Sequence, residues 1–310
     1  MLQITSEIMM VRPANFMYNE QTAENNTFQT KDSKAKSDST AEKAIEEFDA
    51  MVATLRSKGV NVTVVQDTEE PIKPDAVFPN NWISFHENGA VVTYPMFAEN
   101  RRIERRESII EEVAKYYEVS RRYSFEHYED DGVFLEGTGS MLFDRVNNLV
   151  YASISDRTDV TLIDKFCVLM GSTRAVFHSY DKTGELIYHT NVMMALGKDF
   201  VVICMESIKD EEEKTMLLQL FEKTGKDIIE INQDQVENFA GNMLQVLSTD
   251  GESSYLVMSS SAYECLTSEQ IEKLSTFTNL LPVAIPTIEH YGGGSVRCMM
   301  AEVFLPKKNS

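Results

Sequence analysis

Basic residues are scarce in this 310-residue chain: 29 Lys and Arg stand against 49 Asp and Glu, a net charge of −20. A field of that sign repels nucleic-acid phosphates and anionic membrane surfaces, so neither is an expected partner. Long apolar runs are missing too, and none reaches the length of a membrane span. The opening MLQITSEIMMVRPANF has no basic segment followed by an apolar one, so no export signal is expected. The four cysteines are scattered, with no CxxC pair, which suits a reduced, cytoplasmic protein rather than a disulfide framework. Histidines and carboxylates show no HxxxH or HxH spacing, so no metal is expected. The glycine-rich strand-to-helix turn of dinucleotide sites is also absent, and no cofactor is expected.

What is present is enough apolar residue, 43%, for one large domain or two ordinary ones. Five segments have helical periodicity: SDSTAEKAIEEFDAMVATLRSKG, NRRIERRESIIEEVAKYYEV, RTDVTLIDKFCVLMGS, SIKDEEEKTMLLQLFEKTG and LTSEQIEKLSTFTNL. In the first, Ile45, Phe48, Val52 and Leu55 share a face, Ser39 and Glu42 have capping-box spacing, and Gly59 marks the end. Thr267 and Gln270 repeat the spacing in the fifth. Between the helices lie strand-like runs: GVNVTVV, GAVVTYPMF, NLVYASIS, RAVFHSY, DFVVICM, DIIEI and SSYLVMS. The helices recur roughly every 50–60 residues without residue-level identity, which implies a structural repeat. Strand–strand–helix–strand units of this kind cannot each bury a core alone. Around a common axis they place the helices outside and a channel inside. An open doubly wound sheet is the rival, but EGTGSM has only two glycines and strand-like residues follow it. The polar stretch QTKDSKAKSDST is expected to be a solvated loop rather than a cover over a site.

One thiol stands apart. Cys167 and Cys204 sit in apolar patterns and are expected to be buried; Cys265, near the start of the fifth helix, is a candidate for a lowered pKa. Cys298 follows three glycines in GGGSVRCMMAEVF, where free backbone N–H groups could hold a thiolate or an oxyanion. A nucleophilic thiol needs a proton carrier. Of the five histidines, His178 is expected in the core and His127 in an ion pair. His86 carries no signal of its own, and His290 is near Cys298 only in sequence. His189, in YHTNVMMAL, opens an apolar run from which it could face a channel. Glu136 interrupts GVFLEGTGSMLF, and a carboxylate among apolar strand residues is costly unless paired or functional.

In order along the chain, MVRPANF, PDAVFPNNW, LEGTGSMLF, SDRTD, YHTN and GGGSVRC resemble the motifs of the guanidine-modifying, or pentein, superfamily. Its members include arginine deiminases, dimethylarginine dimethylaminohydrolases, amidinotransferases and citrulline hydrolases. The chain is most similar to the bacterial branch of citrulline-hydrolase-like, amidinotransferase-like members. The resemblance covers nearly the whole chain and implies an α/β fold: a five-bladed propeller of ββαβ units with pseudo-fivefold symmetry, residues 1–310 forming one catalytic domain. It implies that Cys298 is the nucleophile, His189 the general acid and base, Glu136 a ligand of substrate nitrogen, and Arg157 the partner of the substrate α-carboxylate.

Departures from the family pattern point to the substrate. Arginine-processing relatives have an acid where this chain has Asn81, and arginine deiminases have aspartate at the position of Asn191. In the dimethylarginine branch the residue matching Asn80 is acidic as well. An amide cannot neutralise a guanidinium, but it offers a donor and an acceptor to a neutral ureido group. The expected substrate is therefore a small amino acid of the citrulline type, cut to ornithine, carbon dioxide and ammonia through a thioester on Cys298. The alternative at the head group is that Asp75 or Glu136 supplies the charge and arginine still binds. Other readings are an arginine deiminase or dimethylargininase type of hydrolase, an amidinotransferase, a ligand-binding protein without activity, or a papain-like protease. The last lacks its local signatures. Substrate length, a homo-oligomeric state and the role of Arg101, Arg102, Arg105 and Arg106 are left open, a solvated helix face being favoured for these arginines.

Overall fold

The structure, a computed structural model, describes residues 2–26, 28–30 and 37–308. Strands β1 (Glu7–Arg12) and β2 (Asn61–Gln66) pair in parallel across the helix Ser37–Ser57. Three-stranded sheets then follow one another. The first holds β3 (Ile83–Phe85), β4 (Ala90–Thr93) and β5 (Arg121–Ser124), and the second β6 (Leu142–Asp144), β7 (Leu149–Ser153) and β8 (Thr173–Phe177). The next has β9 (Met194–Leu196), β10 (Phe200–Ile203) and β11 (Asp227–Glu230). The last has β12 (Leu244–Leu247), β13 (Ser254–Ser259) and β14 (Asn279–Val283). Finally β15 (Ala301–Glu302) returns to pair antiparallel with β1. Every sheet thus has one antiparallel and one parallel ladder, the parallel step crossing a helix. These are five ββαβ blades, and the fifth is assembled from both ends of the described chain. The short first strands neighbour one another, β15 beside β3 and β9 beside both β6 and β12, so they form the inner wall.

The crossover helices form where the periodicity places them: Ser37–Ser57, Glu107–Ala114, Val160–Met170, Glu211–Lys223 and Ser268–Ser275. Asp159 and Asp210 cap their helices through backbone N–H groups, and Thr267 with Gln270 forms the expected capping box. Ser39 does not cap, because the first helix already begins at Ser37. That helix buries Ala44, Phe48, Met51 and Leu55 against Ile8, Met10 and Val62, while Ile45 is only half-buried. Each fully buried side chain there contributes ~1.5–3 kcal/mol, so Phe48→Ala is expected to cost about 3–5 kcal/mol. The MVRPANF motif only overlaps the first strand, which starts at Glu7. Among the described residues no helix is long and apolar enough to cross a membrane. Within QTKDSKAKSDST, residues 31–36 lie outside the described residues.

Candidate active site

Each blade enters its inner strand through a tight turn, and all five turns lie at the same end of the ring. They are Pro79–Asn81 before β3, Gly137–Ser140 before β6, Thr190–Met193 before β9, residues 238–241 before β12 and 296–299 before β15. A turn followed by an inward strand aims its side chains at the axis. Asn80, Asn81, Glu136, His189, Asn191, Asn242 and Cys298 all come from these turns or their first flanking residue, and all are buried. Gly139 makes the convergence sterically feasible: a Cβ there would stand 2.5 Å from Asn81 Nδ2 and 2.7 Å from His189 Nδ1.

Glu136 is the hub of an ionic half. One oxygen lies 2.8 Å from His189 Nε2 and 3.6 Å from Arg157 Nη1, and the other accepts the Phe97 N–H at 2.9 Å. Burial opposes its ionisation, but Arg157, His189 and Arg101 outweigh burial and hold the carboxyl down at about 2. Burial lowers the pKa of His189, only partly offset by Glu136, so the imidazole is neutral near pH 7. Its Nε2–H then donates to Glu136 and leaves Nδ1 with its lone pair free. Arg157 stacks on the Tyr188 ring at 4.9 Å. It donates from Nε to Asn25 Oδ1 and from Nη2 to Thr22 O, both at 2.9 Å.

The sulfur lies in an uncharged half. Cys298 Sγ is 3.5 Å from Asn191 Nδ2 and 3.3 Å from Asn242 Nδ2. The Asn242 amide is fixed in orientation, because its Oδ1 accepts the Arg297 N–H at 3.1 Å and its Nδ2 also donates to Asn191 O at 3.0 Å. The glycine run does not supply donors to the thiol. Gly292 and Gly294 leave room for the Phe78 ring, where added Cβ atoms would come to 2.8 and 3.0 Å. The carbonyls of Gly292 and Gly293 face a segment near the N-terminus: Gln29 donates to Gly292 O and Asn26 to Gly293 O, and Tyr188 Oη joins at Gly293 O.

Arg101 was expected on a solvated helix face and is instead 3% exposed. It forms a fork with Glu104, both contacts at 2.9 Å, and donates from Nη1 to Asn81 Oδ1 at 2.9 Å. Arg102 and Arg105 pair with Glu129, and Arg106 with Asp67, so the cluster is a set of ion pairs. Asp75 is fully enclosed, accepts from Asn19 Nδ2 at 2.7 Å and Thr22 Oγ1 at 3.2 Å, and its pKa is raised by burial.

Asp75, Asn81, Arg101, Arg157, His189 and Cys298 line one cavity of about 20 Å³. Hollows of about 460 and 750 Å³ elsewhere contain neither Cys298 nor His189. Around the small cavity, Asp75 Oδ1, Asn80 Oδ1 and Nδ2, Asn81 Nδ2 and Asn191 Oδ1 are buried with no hydrogen-bond partner among the described residues. Such atoms are costly to leave unpaired, and clustered ones mark where a polar ligand fits.

The remaining candidates lie elsewhere. His178 is half-exposed with Nδ1 2.8 Å from Glu213 rather than in the core, and His127 packs on Tyr128 with no ion pair among the described residues. His290 is exposed on the helix Pro286–Gly292. His86 is buried at the far end of the ring. Cys265 closes a short helix ahead of the fifth crossover helix, and burial pushes its thiol up to about 11, opposite to the direction expected from position alone. Cys167 and Cys204 are buried as their patterns implied. Among the described residues no cluster of His, Cys, Asp and Glu has metal-site geometry. Asn242, Asn19, Thr22, Asn25 and Asn26 had not been singled out from sequence, and Arg101 was named only as one of four arginines on an expected solvated face. For Asn242 there was a signal: AGNMLQV repeats the polar turn and apolar strand of TGSMLF and TNVMMAL.

The profile of the family described as N,N dimethylarginine dimethylhydrolase, eukaryotic, matches residues 12–305. Among solved structures, the arginine dihydrolase ArgZ from the ornithine-ammonia cycle in cyanobacteria superposes with a TM-score of 0.74 at 17% identity. The overlap covers 97% of this chain and 41% of that one. The chain thus spans about two-fifths of full-length ArgZ, and it covers 98% of the ArgZ N-terminal domain. AgrE, solved as a cysteine-to-alanine variant with L-arginine, gives 0.74 at 15% identity over 98% of this chain and 41% of that one. A histidine-to-glycine dimethylarginine dimethylaminohydrolase carrying an S-methyl-L-thiocitrulline adduct gives 0.65 at 18% identity, covering 96% and 99%. No curated protein sequence matches the chain. The shared architecture is the pentein fold.

Proposed function

This chain belongs to the N,N dimethylarginine dimethylhydrolase family, hydrolases acting on carbon–nitrogen bonds of arginine-like groups, and from that premise we propose that it is a single-domain hydrolase of a citrulline-like ureido amino acid. The observation that carries the choice of head group is the orientation of Asn81. Its Oδ1 is taken by Arg101, so the cavity meets the Nδ2–H donor. A guanidinium brings only donors, and it would face that N–H with a second cation, Arg101, behind it. Breaking the ion pair that an acid would provide here costs ~3–5 kcal/mol. A ureido group brings a carbonyl for Asn81 Nδ2 and N–H groups for the unpaired oxygens of Asp75, Asn80 and Asn191.

In this reading neutral His189 takes the Cys298 proton, and Glu136 stabilises the resulting imidazolium. The thiolate, cradled by the Asn191 and Asn242 amides, attacks the ureido carbon. The tetrahedral adduct expels the ornithine amine, which receives the proton from His189. A carbamoyl thioester is left on Cys298. His189 then takes a proton from water, the hydroxide attacks the carbonyl carbon, and the thiolate departs. The product carbamate decays to carbon dioxide and ammonia. No cofactor, nucleic acid or membrane enters this scheme. The four free cysteines favour a cytoplasmic setting. Arg157 would bind the α-carboxylate in a fork. It is now held by Asn25 and Thr22, and the cavity is far smaller than an amino acid, so Thr22, Asn25, Asn26 and Gln29 must withdraw for substrate to reach Cys298.

Ammonia and ornithine release with citrulline, arginine, methylated arginines and agmatine tests the proposal. Citrulline is expected to react fastest; much faster turnover of arginine overturns the amide argument. A second reading is arginine dihydrolysis, with citrulline as the intermediate. It is favoured by the buried acceptors Asp75 Oδ1 and Asn191 Oδ1, which suit guanidinium N–H groups, and by the name of ArgZ. Transient citrulline on the way from arginine to ornithine would select it.

A further inference from the structure

At the opposite end of the ring, the β3–β4 and β6–β7 turns and the segment after β15 enclose a cavity of about 80 Å³. That is well above the ~10–15 Å³ one water requires. Arg145 lines it and is 8% exposed. Its guanidinium lies 3.8 Å from the Phe304 ring and 5.0 Å from that of Phe143, and no carboxylate pairs with it among the described residues. The nearby acids are otherwise engaged or outside. Glu302 binds Arg297 at 3.0 Å, Asp144 binds Asn147 at 2.9 and 3.0 Å with Lys226 at 3.6 Å, and Glu87 is exposed on the rim. His86 also lines the cavity, and its Nε2 is anchored 2.7 Å from Ser84 Oγ, itself 2.6 Å from Tyr94 Oη. A buried arginine without a counter-ion is strongly disfavoured, and stacking on two rings replaces only part of its hydration. Its planar fork presented from an aromatic clamp is the geometry that takes an oxyanion.

We propose that this cavity is a binding site for a small oxyanion, anchored by Arg145 with His86 as second donor, separate from the Cys298 centre and independent of its assignment. The chain's charge of −20 works against general anion attraction, so binding here must come from these groups. The probe is inorganic phosphate, with acetate as the monovalent planar comparison, followed by thermal unfolding and calorimetry of the full chain. Phosphate is expected to stabilise the wild type in a saturable manner, more than acetate does. Arg145→Met should weaken phosphate at least about tenfold, the loss of a charge-assisted contact, and should unfold no earlier than wild type in anion-free buffer, since an unpaired buried cation has been removed. Arg145→Lys should fall between the two. Glu87→Gln should tighten phosphate. An unshifted wild type, a full phosphate effect in Arg145→Met, or destabilisation by Glu87→Gln, which would make Glu87 the hidden partner, each overturns the site.

Discussion

The two halves of the candidate active-site cavity are built on different chemistry. Around Glu136 everything is ionic: a buried carboxylate, an imidazole 2.8 Å away and a guanidinium at 3.6 Å. Around Cys298 the neighbours are amides, with Asn191 and Asn242 at 3.5 and 3.3 Å. Charge is concentrated where the proposed mechanism moves a proton and where an α-carboxylate would be held. It is withheld where a neutral head group would sit. Arg101, which also lines the cavity, is paired with Glu104 in a fork and engages Asn81 through its Oδ1.

The most drastic way to test this division is to remove the one reacting atom of the amide half. Cys298→Ser should lower kcat by at least about 10⁴-fold while the thermal midpoint stays within a few degrees, because oxygen fits the same space. Retained turnover would leave the amide half without a chemical role. Next is conversion of one half into the other. Asn81→Asp places an acid beside Arg101 and gives a guanidinium a partner, so the ratio of kcat/KM for citrulline over arginine should fall about 10²- to several 10³-fold, the equivalent of ~3–5 kcal/mol. An unchanged ratio with both substrates measured would show that Asn81 does not read head-group charge.

Neutralising the ionic half comes third. The Glu136 pKa is depressed in the folded state, to about 2. Its stabilisation is therefore fully present above the unfolded carboxylate value and lost as pH falls through about 2. Glu136→Gln should be destabilised by about 3 kcal/mol at pH 7, leaving Arg157 buried without its acid. Urea unfolding of wild type and variant should converge between pH 5 and pH 2. Parallel stability curves over that window would mean that the charge of Glu136 is not what ties the ionic half together.

How much of this was legible in the sequence follows from length and period. The crossover helix Glu211–Lys223 and strand β10 announce themselves, because 13 residues of helical period or a run such as FVVI carry a clear signal. Inner strands such as β15, two residues long, and β3, three, are too short to show alternation. The site residues with a distinctive neighbour, Cys298 after glycines and Glu136 before them, could be singled out. Arg101 could not: four arginines in ENRRIERRES look like a solvated face, and only the ring geometry brings one of them against Asn81. Ser39 had the spacing of a cap, but the helix gains two further residues ahead of it.

The smallest expected effect concerns Asn242, which belongs to the amide half without lining the cavity. It touches three blades at once: its own turn, Asn191 O, and the Arg297 N–H next to Cys298. Through the sulfur it can serve both protonation states, since Nδ2 donates to a thiolate at 3.3 Å and Oδ1, 3.7 Å away, accepts from a thiol. Asn242→Asp keeps the shape and the acceptor for Arg297 but turns the donor beside sulfur into an acceptor. We expect kcat to fall about tenfold, the worth of one hydrogen bond to a charged group, with KM unchanged, and iodoacetamide to label Cys298 more slowly by a similar factor. A residue that only filled space would leave the aspartate variant as reactive as wild type. One that bound substrate would raise KM instead, and either result would move Asn242 out of the group that positions the thiol.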